Sequence, residues 1–310
     1  MKVSKLLMIV ILSLVFSAGC AAAEQDNENN SETIYTTIYP LQFLVEQVSG
    51  GTIEAISVYP PGVDEHTYEP TAKEITEIAD GDAFLYIGAG LEALATTVAN
   101  ALDNQDVELI EIGKHEEIFL SGEHHHHDEN DDLHHPSDID PHIWLDPLAM
   151  IEMAHIIKDE LIELYPEERD VFEENLVHLE EELQTLHEEY AELIDGKENK
   201  KLLVTHAAFG YWEERYGIEQ VAIHGLSTEN EPSQKELIEI IETANEHQME
   251  YIIFEQNVTT RTAEVIQEEI GAEPLILHNL AVLTEEDLAE KRDYLSIMRD
   301  NLEVLDTALD

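Results

Sequence analysis

Phe172-Glu-Glu-Asn-Leu-Val-His-Leu-Glu-Glu-Glu-Leu-Gln-Thr-Leu-His-Glu-Glu-Tyr-Ala-Glu-Leu193 puts Phe172, Leu176, Leu179, Leu183, Leu186, Tyr190 and Leu193 at alternating steps of four and three. That spacing predicts a helix of about six turns with one narrow apolar stripe. A coiled coil would use the same stripe, but only about three heptads are present and the flanking faces are nearly all acidic, so two copies would repel. A single long helix, packing its stripe onto what precedes and follows it, is the better reading. Asp195-Gly196 stops it, and Tyr165-Pro166 separates it from a second helical pattern over residues 148–164. His178 and His187 fall on this helix as solvated residues.

Outward from the helix, both sides show the same alternation. Upstream, short β-branched or aromatic runs at 33–39, 52–59, 83–88 and 107–112 are separated by helical stretches at 41–48, 71–80 and up to Leu102. Downstream, strand-like runs at 201–206, 218–223, 251–255 and 274–278 alternate with helical stretches at 234–246, 260–270 and 293–309. Strands alternating with helices imply parallel pairing and right-handed crossovers. The expected fold is α/β, with two lobes, each a parallel sheet flanked by helices, joined by one long helix. The divisions are residues 33–165, 166–195 and 196–310.

The N-terminus reads as an address. Lys2 and Lys5 precede an apolar run at 6–16, which is short for a membrane span and suits a signal peptide over residues 1–19. It ends in Ser17-Ala-Gly-Cys20, and Cys20 is the sole cysteine, so no internal disulfide can form. This segment resembles a bacterial lipoprotein signal, although Ser17 stands where leucine is usual. The resemblance implies cleavage before Cys20, a lipid on its sulfur, and an anchor in the outer face of the cytoplasmic membrane. Residues 20–32, rich in Ala, Asn, Glu and Gln, read as a tether. The 69 acidic against 15 basic residues give a formal charge of -54, which excludes a nucleic-acid partner.

The histidines carry the chemistry. Residues 122–137 hold His124, His125, His126, His127, His134 and His135 among acidic residues with no apolar periodicity. Such a run cannot build a core; it offers many weak, overlapping metal geometries. His142 differs: Pro141 and Pro147 restrict the backbone around it and Trp144 supplies an apolar anchor, so it suits a defined site. His66 follows the Pro60-Pro61-Gly62 turn after a strand. His206 and His278 end strands of the second half, and ligands in such sheets sit beyond the carboxyl ends of the strands. His224 also ends a strand, but its neighbours give no reason to prefer it.

Four motifs together resemble the zinc and manganese solute-binding lipoproteins of bacterial ABC importers, the ZnuA, AdcA and TroA type. They are Asp64-Glu-His-Thr-Tyr-Glu-Pro70, Asp140-Pro-His-Ile-Trp-Leu-Asp-Pro147, Thr205-His-Ala-Ala-Phe-Gly-Tyr-Trp212 and Phe254-Glu-Gln-Asn-Val258. The resemblance spans the chain from the tether to the last helix. It implies a metal held between the lobes by His66, His142 and His206. The family's fourth ligand, usually an acid, aligns with His278 or with Ala281. The first alignment gives four histidines and is slightly favoured; the second gives three plus water or an acid such as Glu65.

Imidazole donors suit zinc, whereas manganese prefers carboxylate and water oxygens. The expectation is an extracytoplasmic, monomeric receptor that captures Zn2+ and passes it to an ABC permease and its ATPase, without catalysis. A manganese or iron receptor of the same fold is the nearest alternative. A secreted zinc hydrolase would need an open position and a general base, for which Glu65 or Glu255 could stand. No His-Glu-x-x-His segment is present, and ligands from both lobes suit capture better than turnover. A surface adhesin would rest on exposed location alone.

Overall fold

The computed structural model describes residues 32–120, 139–227, 232–256 and 260–309. The signal segment, Cys20, the tether up to residue 31 and the run holding His124 to His127, His134 and His135 lie outside the described residues. The first sheet comprises β1 (Thr33–Thr36), β2 (Glu54–Ser57), β3 (Ala83–Tyr86) and β4 (Glu108–Glu111) in the order β2-β1-β3-β4, every pair parallel. The second repeats the pattern with β5 (Lys201–His206), β6 (Glu219–His224), β7 (Tyr251–Glu255) and β8 (Glu273–Leu277) in the order β6-β5-β7-β8. In each sheet the chain winds first one way and then the other, so the order reverses between β1 and β3 and between β5 and β7. Such reversal points leave a crevice at the strands' carboxyl ends.

The helices of the first half are α1 (Tyr39–Ser49), α2 (Ala72–Ala79), α3 (Ala93–Leu102) and α4 (Pro147–Leu164). The long helix is α5 (Arg169–Asp195), preceded by a 3-10 turn at Pro166–Glu168. The second half adds α6 (Gly210–Tyr216), α7 (Gln234–Glu246), α8 (Arg261–Ile270), α9 (Glu285–Glu290) and α10 (Tyr294–Ala308). Pro40, which lies between the strand-like run at 33–39 and the helical stretch at 41–48, occupies the first turn of α1, where its missing N–H is not needed. The short α6 and α9 have too few residues for periodicity to reveal. Among the described residues no helix is long and apolar enough to cross a membrane.

The stripe on α5 is buried from Phe172 to Tyr190, but its last member is Ile194 and not Leu193. The reason is geometric: a straight helix drifts about 20° per heptad against a 3.5-residue repeat, and after three heptads the inward position has moved on by one. The stripe packs against α1 and α4 on one side and α10 on the other. Asn175 Nδ2 donates to the Val48 carbonyl (3.0 Å), and Tyr190 Oη donates to the Met298 carbonyl (2.8 Å), fastening the helix to both halves. One apolar core therefore runs from the first sheet across α5 to α10 and the inner face of the second sheet, with Trp144, Trp212, Tyr190 and Tyr294 fully buried. Truncating a stripe residue such as Leu186 to alanine would cost roughly 2–5 kcal/mol. His178 is exposed as expected; His187 is half-buried, stacked on Tyr216 with its Nδ1 3.2 Å from the phenol oxygen.

Candidate metal centre

Each of three histidines is brought to the lobe junction by local chain chemistry. His66 lies in the loop after β2, where Asp64 Oδ1 accepts from its backbone N–H (2.8 Å) and turns the chain. Asp140 does the same for His142, accepting from its backbone N–H (3.0 Å) and also lying 2.8 Å from its Nδ1. His206 is the last residue of β5, and its Nδ1 contacts the carboxylate of Glu255, the last residue of β7. The two strands flank the reversal point of the second sheet.

The segment carrying His142 precedes α4 in the chain, yet side chains of the second half hold it. Tyr211 Oη donates to the Asp140 carbonyl (3.0 Å), and Trp212 Nε1 donates to the Leu145 carbonyl (2.8 Å). Tyr294 Oη donates to the Trp144 carbonyl (2.7 Å). Arg215 places Nε and Nη2 at 2.9 and 2.6 Å from Asp146 Oδ2, while Asp146 Oδ1 caps α4 by accepting from Leu148 N–H (3.0 Å).

His66, His142 and His206 are all buried, and one ring nitrogen from each lies within 4.8 Å of the other two. His142 Nε2 and His206 Nε2 are 3.2 Å apart. His66 Nε2 is buried with no hydrogen-bond partner. In His142 and His206, then, Nδ1 is used outward on a carboxylate and Nε2 faces the common centre. An outward partner on Nδ1 fixes the tautomer that leaves Nε2 a free lone pair.

Electrostatics favour a cation at that centre. Burial, then the two neighbouring imidazoles, push the His66 cation down to about 2, so this ring is neutral at any ordinary pH. Burial would also lower His206, but the Glu255 carboxylate overcomes it and holds His206 above its ordinary value. Burial followed by the charge of Glu255 raises Glu65 to about 8. Asp140 Oδ2 is buried without a partner. Three nitrogen lone pairs ringed by carboxyl groups form a site for a divalent ion with one position left open.

His278, favoured from the sequence as a fourth ligand, is not brought to this cluster. β8 ends one residue earlier, and the ring turns away: Nδ1 accepts from Leu280 N–H (2.9 Å) and Nε2 lies 3.0 Å from Asp287 Oδ2. Ala281 is buried and offers no donor atom. Glu65 is buried beside the centre, with Oε1 accepting from Asn279 Nδ2 (3.1 Å). His224 lies apart, its Nε2 3.0 Å from Thr260 Oγ1. Sequence reading missed the supports Asp140, Glu255 and Asn279. The first had a signal, since Asp stands two residues before both His66 and His142; the others meet their partners only through the fold.

Two lobes with parallel sheets are bridged by a long helix, and His66 and His142 from one meet His206 from the other in a buried cluster that could hold a metal ion. The chain belongs to the ZnuA family, described as the periplasmic component A of a zinc-uptake complex, which it matches over residues 34–308. It is 33% identical over 305 residues to the zinc-binding lipoprotein AdcA of Streptococcus pneumoniae strain R6, covering 98% of this chain and 60% of AdcA. This chain thus spans about 60% of the length of that relative. It is 27% identical to the high-affinity zinc uptake system protein ZnuA of Bacillus subtilis, covering 98% of this chain and 97% of the relative. The crystal structure of the Zn(II)-bound ZnuA-like domain of Streptococcus pneumoniae AdcA superposes with a TM-score of 0.71 at 32% identity, covering 90% of this chain and 99% of that one. The family is one of solute-binding proteins rather than enzymes.

Proposed function

We propose that this chain captures Zn2+ outside the cytoplasm through His66, His142 and His206 and delivers it to an ABC permease driven by an ATPase. The observation that carries the reading is the convergence of three buried histidine ring nitrogens, with His66 Nε2 lacking any partner. Zn2+ takes nitrogen donors readily in four-coordinate geometry, and an all-imidazole set offers manganese or iron little of the oxygen they prefer. Water or Glu65 completes the coordination. The residue divisions follow the same logic: residues 33–165 and 196–310 supply the two walls and 166–195 the strut between them.

Anchoring belongs to the same proposal. Cys20 carries a lipid, residues 20–32 tether the receptor, and it works as a monomer at the outer face of the cytoplasmic membrane. The histidines at 124–127, 134 and 135 act as a weak collector that supplies the buried site. Zinc titration against a chelating dye, with the protein stripped of metal, tests the capture step. One tight zinc per chain, lost in His142→Ala, supports it; a tight zinc retained in that variant would refute it.

A further inference from the structure

Asn279 is buried, and every polar group it owns is engaged. Its Oδ1 accepts from Ala281 N–H (3.1 Å) and from Gln256 Nε2 (2.9 Å), its N–H donates to Gln256 Oε1 (3.0 Å), and its carbonyl accepts from Trp144 Nε1 (2.7 Å). The Ala281 N–H can only donate, so the amide orientation is fixed and the NH2 group points the other way. There it donates to two carboxylates at once, Glu255 Oε2 (2.6 Å) and Glu65 Oε1 (3.1 Å).

Each of those contacts leads to a different histidine. Glu255 uses its other oxygen on His206 Nδ1. Glu65 is the residue before His66, and Trp144 lies two residues after His142 with the rings 5.4 Å apart. The supports of all three imidazoles therefore converge on one uncharged side chain, which donates to two buried carboxyl groups at once. A fully satisfied buried network of this kind holds its members in one arrangement, and outer partners of metal ligands set both orientation and basicity.

We infer that Asn279 is a positioning residue for the metal centre, setting the geometry of His66, His142 and His206 together. The inference rests on the zinc-receptor reading above. Asn279 touches none of the rings directly; it acts through Glu255, Glu65 and Trp144.

The test uses the full chain, stripped of metal, with cobalt(II) as a spectroscopic probe and zinc affinity measured by chelator competition. Asn279→Leu keeps the branching of the side chain and excludes water. Asn279→Ala, which lets water into the space, keeps the test open if the leucine variant does not fold. Asn175→Ala, which removes a hydrogen bond far from the centre, reports what a merely structural loss does. Wild type must first bind one cobalt with the intense visible bands of a four-coordinate ion; failure there overturns the receptor reading itself. With that in hand, the inference expects each folded Asn279 variant to shift those bands and weaken zinc about 10–100-fold. Asn175→Ala should lower thermal stability and leave the bands in place. Bands and zinc affinity matching wild type in the Asn279 variants would overturn the inference.

Discussion

His142 and His206 face each other with their Nε2 atoms 3.2 Å apart, and each has its Nδ1 against a carboxylate, Asp140 for one and Glu255 for the other. With both rings neutral, two lone pairs would oppose each other at hydrogen-bond distance. A proton between them relieves this, and so does a metal ion. The Glu255 carboxylate, which holds His206 above its ordinary value, favours that proton on His206. The site thus exchanges one cation for another, and neighbouring carboxylates favour either.

Proton exchange fixes the pH dependence. His66, held near 2, contributes none. Zn2+ must displace the proton on His206, so affinity falls as pH drops through the His206 titration, which lies above the ordinary 6.5. Calorimetry at pH 6.5 in buffers of different ionisation heat should show about one proton released per zinc bound. No proton release would contradict the arrangement.

The histidines should separate cleanly on substitution. Alanine at His66, His142 or His206 should each weaken zinc by about a hundredfold or more, since losing a ligand exceeds the cost of losing an outer partner. His278→Ala should leave zinc affinity within about twofold of wild type. It should instead lower the melting temperature, because the buried Asp287 carboxylate loses one of its partners and keeps only Thr284 and Arg292. Competition titration and thermal unfolding on the four variants check both halves.

Arg215 is predicted to matter for stability. Asp146 is buried and Arg215 is partly exposed, so removing the guanidinium leaves a carboxylate with only its capping bond to Leu148. Arg215→Ala should cost roughly 1–3 kcal/mol in urea unfolding, less than a fully buried pair because water reaches the site. Zinc affinity should fall as well, through the loosened segment around His142.

Glu92 gives a pH signature of the opposite kind to a paired surface acid. It is buried and accepts from Thr37 Oγ1 (2.7 Å), Ile87 N–H (3.0 Å) and Gly88 N–H (2.8 Å), yet burial still raises it from 4.5 to about 7. A raised carboxyl binds its proton more tightly in the folded state. Its contribution is therefore fully present below about 4.5 and lost as pH rises through about 7. Unfolding free energy measured at pH 5 and pH 8.5 should fall less in Glu92→Gln than in wild type, by on the order of 1–3 kcal/mol.

The stripe on α5 and the two strand–helix alternations were legible because buried periodicity is written locally. Even there Leu193 gave way to Ile194, a consequence of helical drift that a count of threes and fours does not carry. His206 and His278 look alike in sequence, each at the end of an apolar run. They part because β5 ends on His206 while β8 ends at Leu277, and because Asp287, nine residues on in a short helix, draws the His278 ring outward. Strand ends are set by pairing with neighbours, which the local sequence does not show. Glu255 and Asn279 reach the centre from distant parts of the chain, and only packing reveals them.

The proposed function requires a single interlobe zinc site distinct from the histidine run at 122–137. Native mass spectrometry on the metal-stripped chain, titrated with zinc and manganese in competition, tests it most directly, using wild type, His142→Ala and a deletion of residues 122–137. One tight zinc should survive the deletion and be lost in His142→Ala, with only weaker additional zincs vanishing with the run. Tight binding that disappears with the deletion and persists in His142→Ala would contradict it.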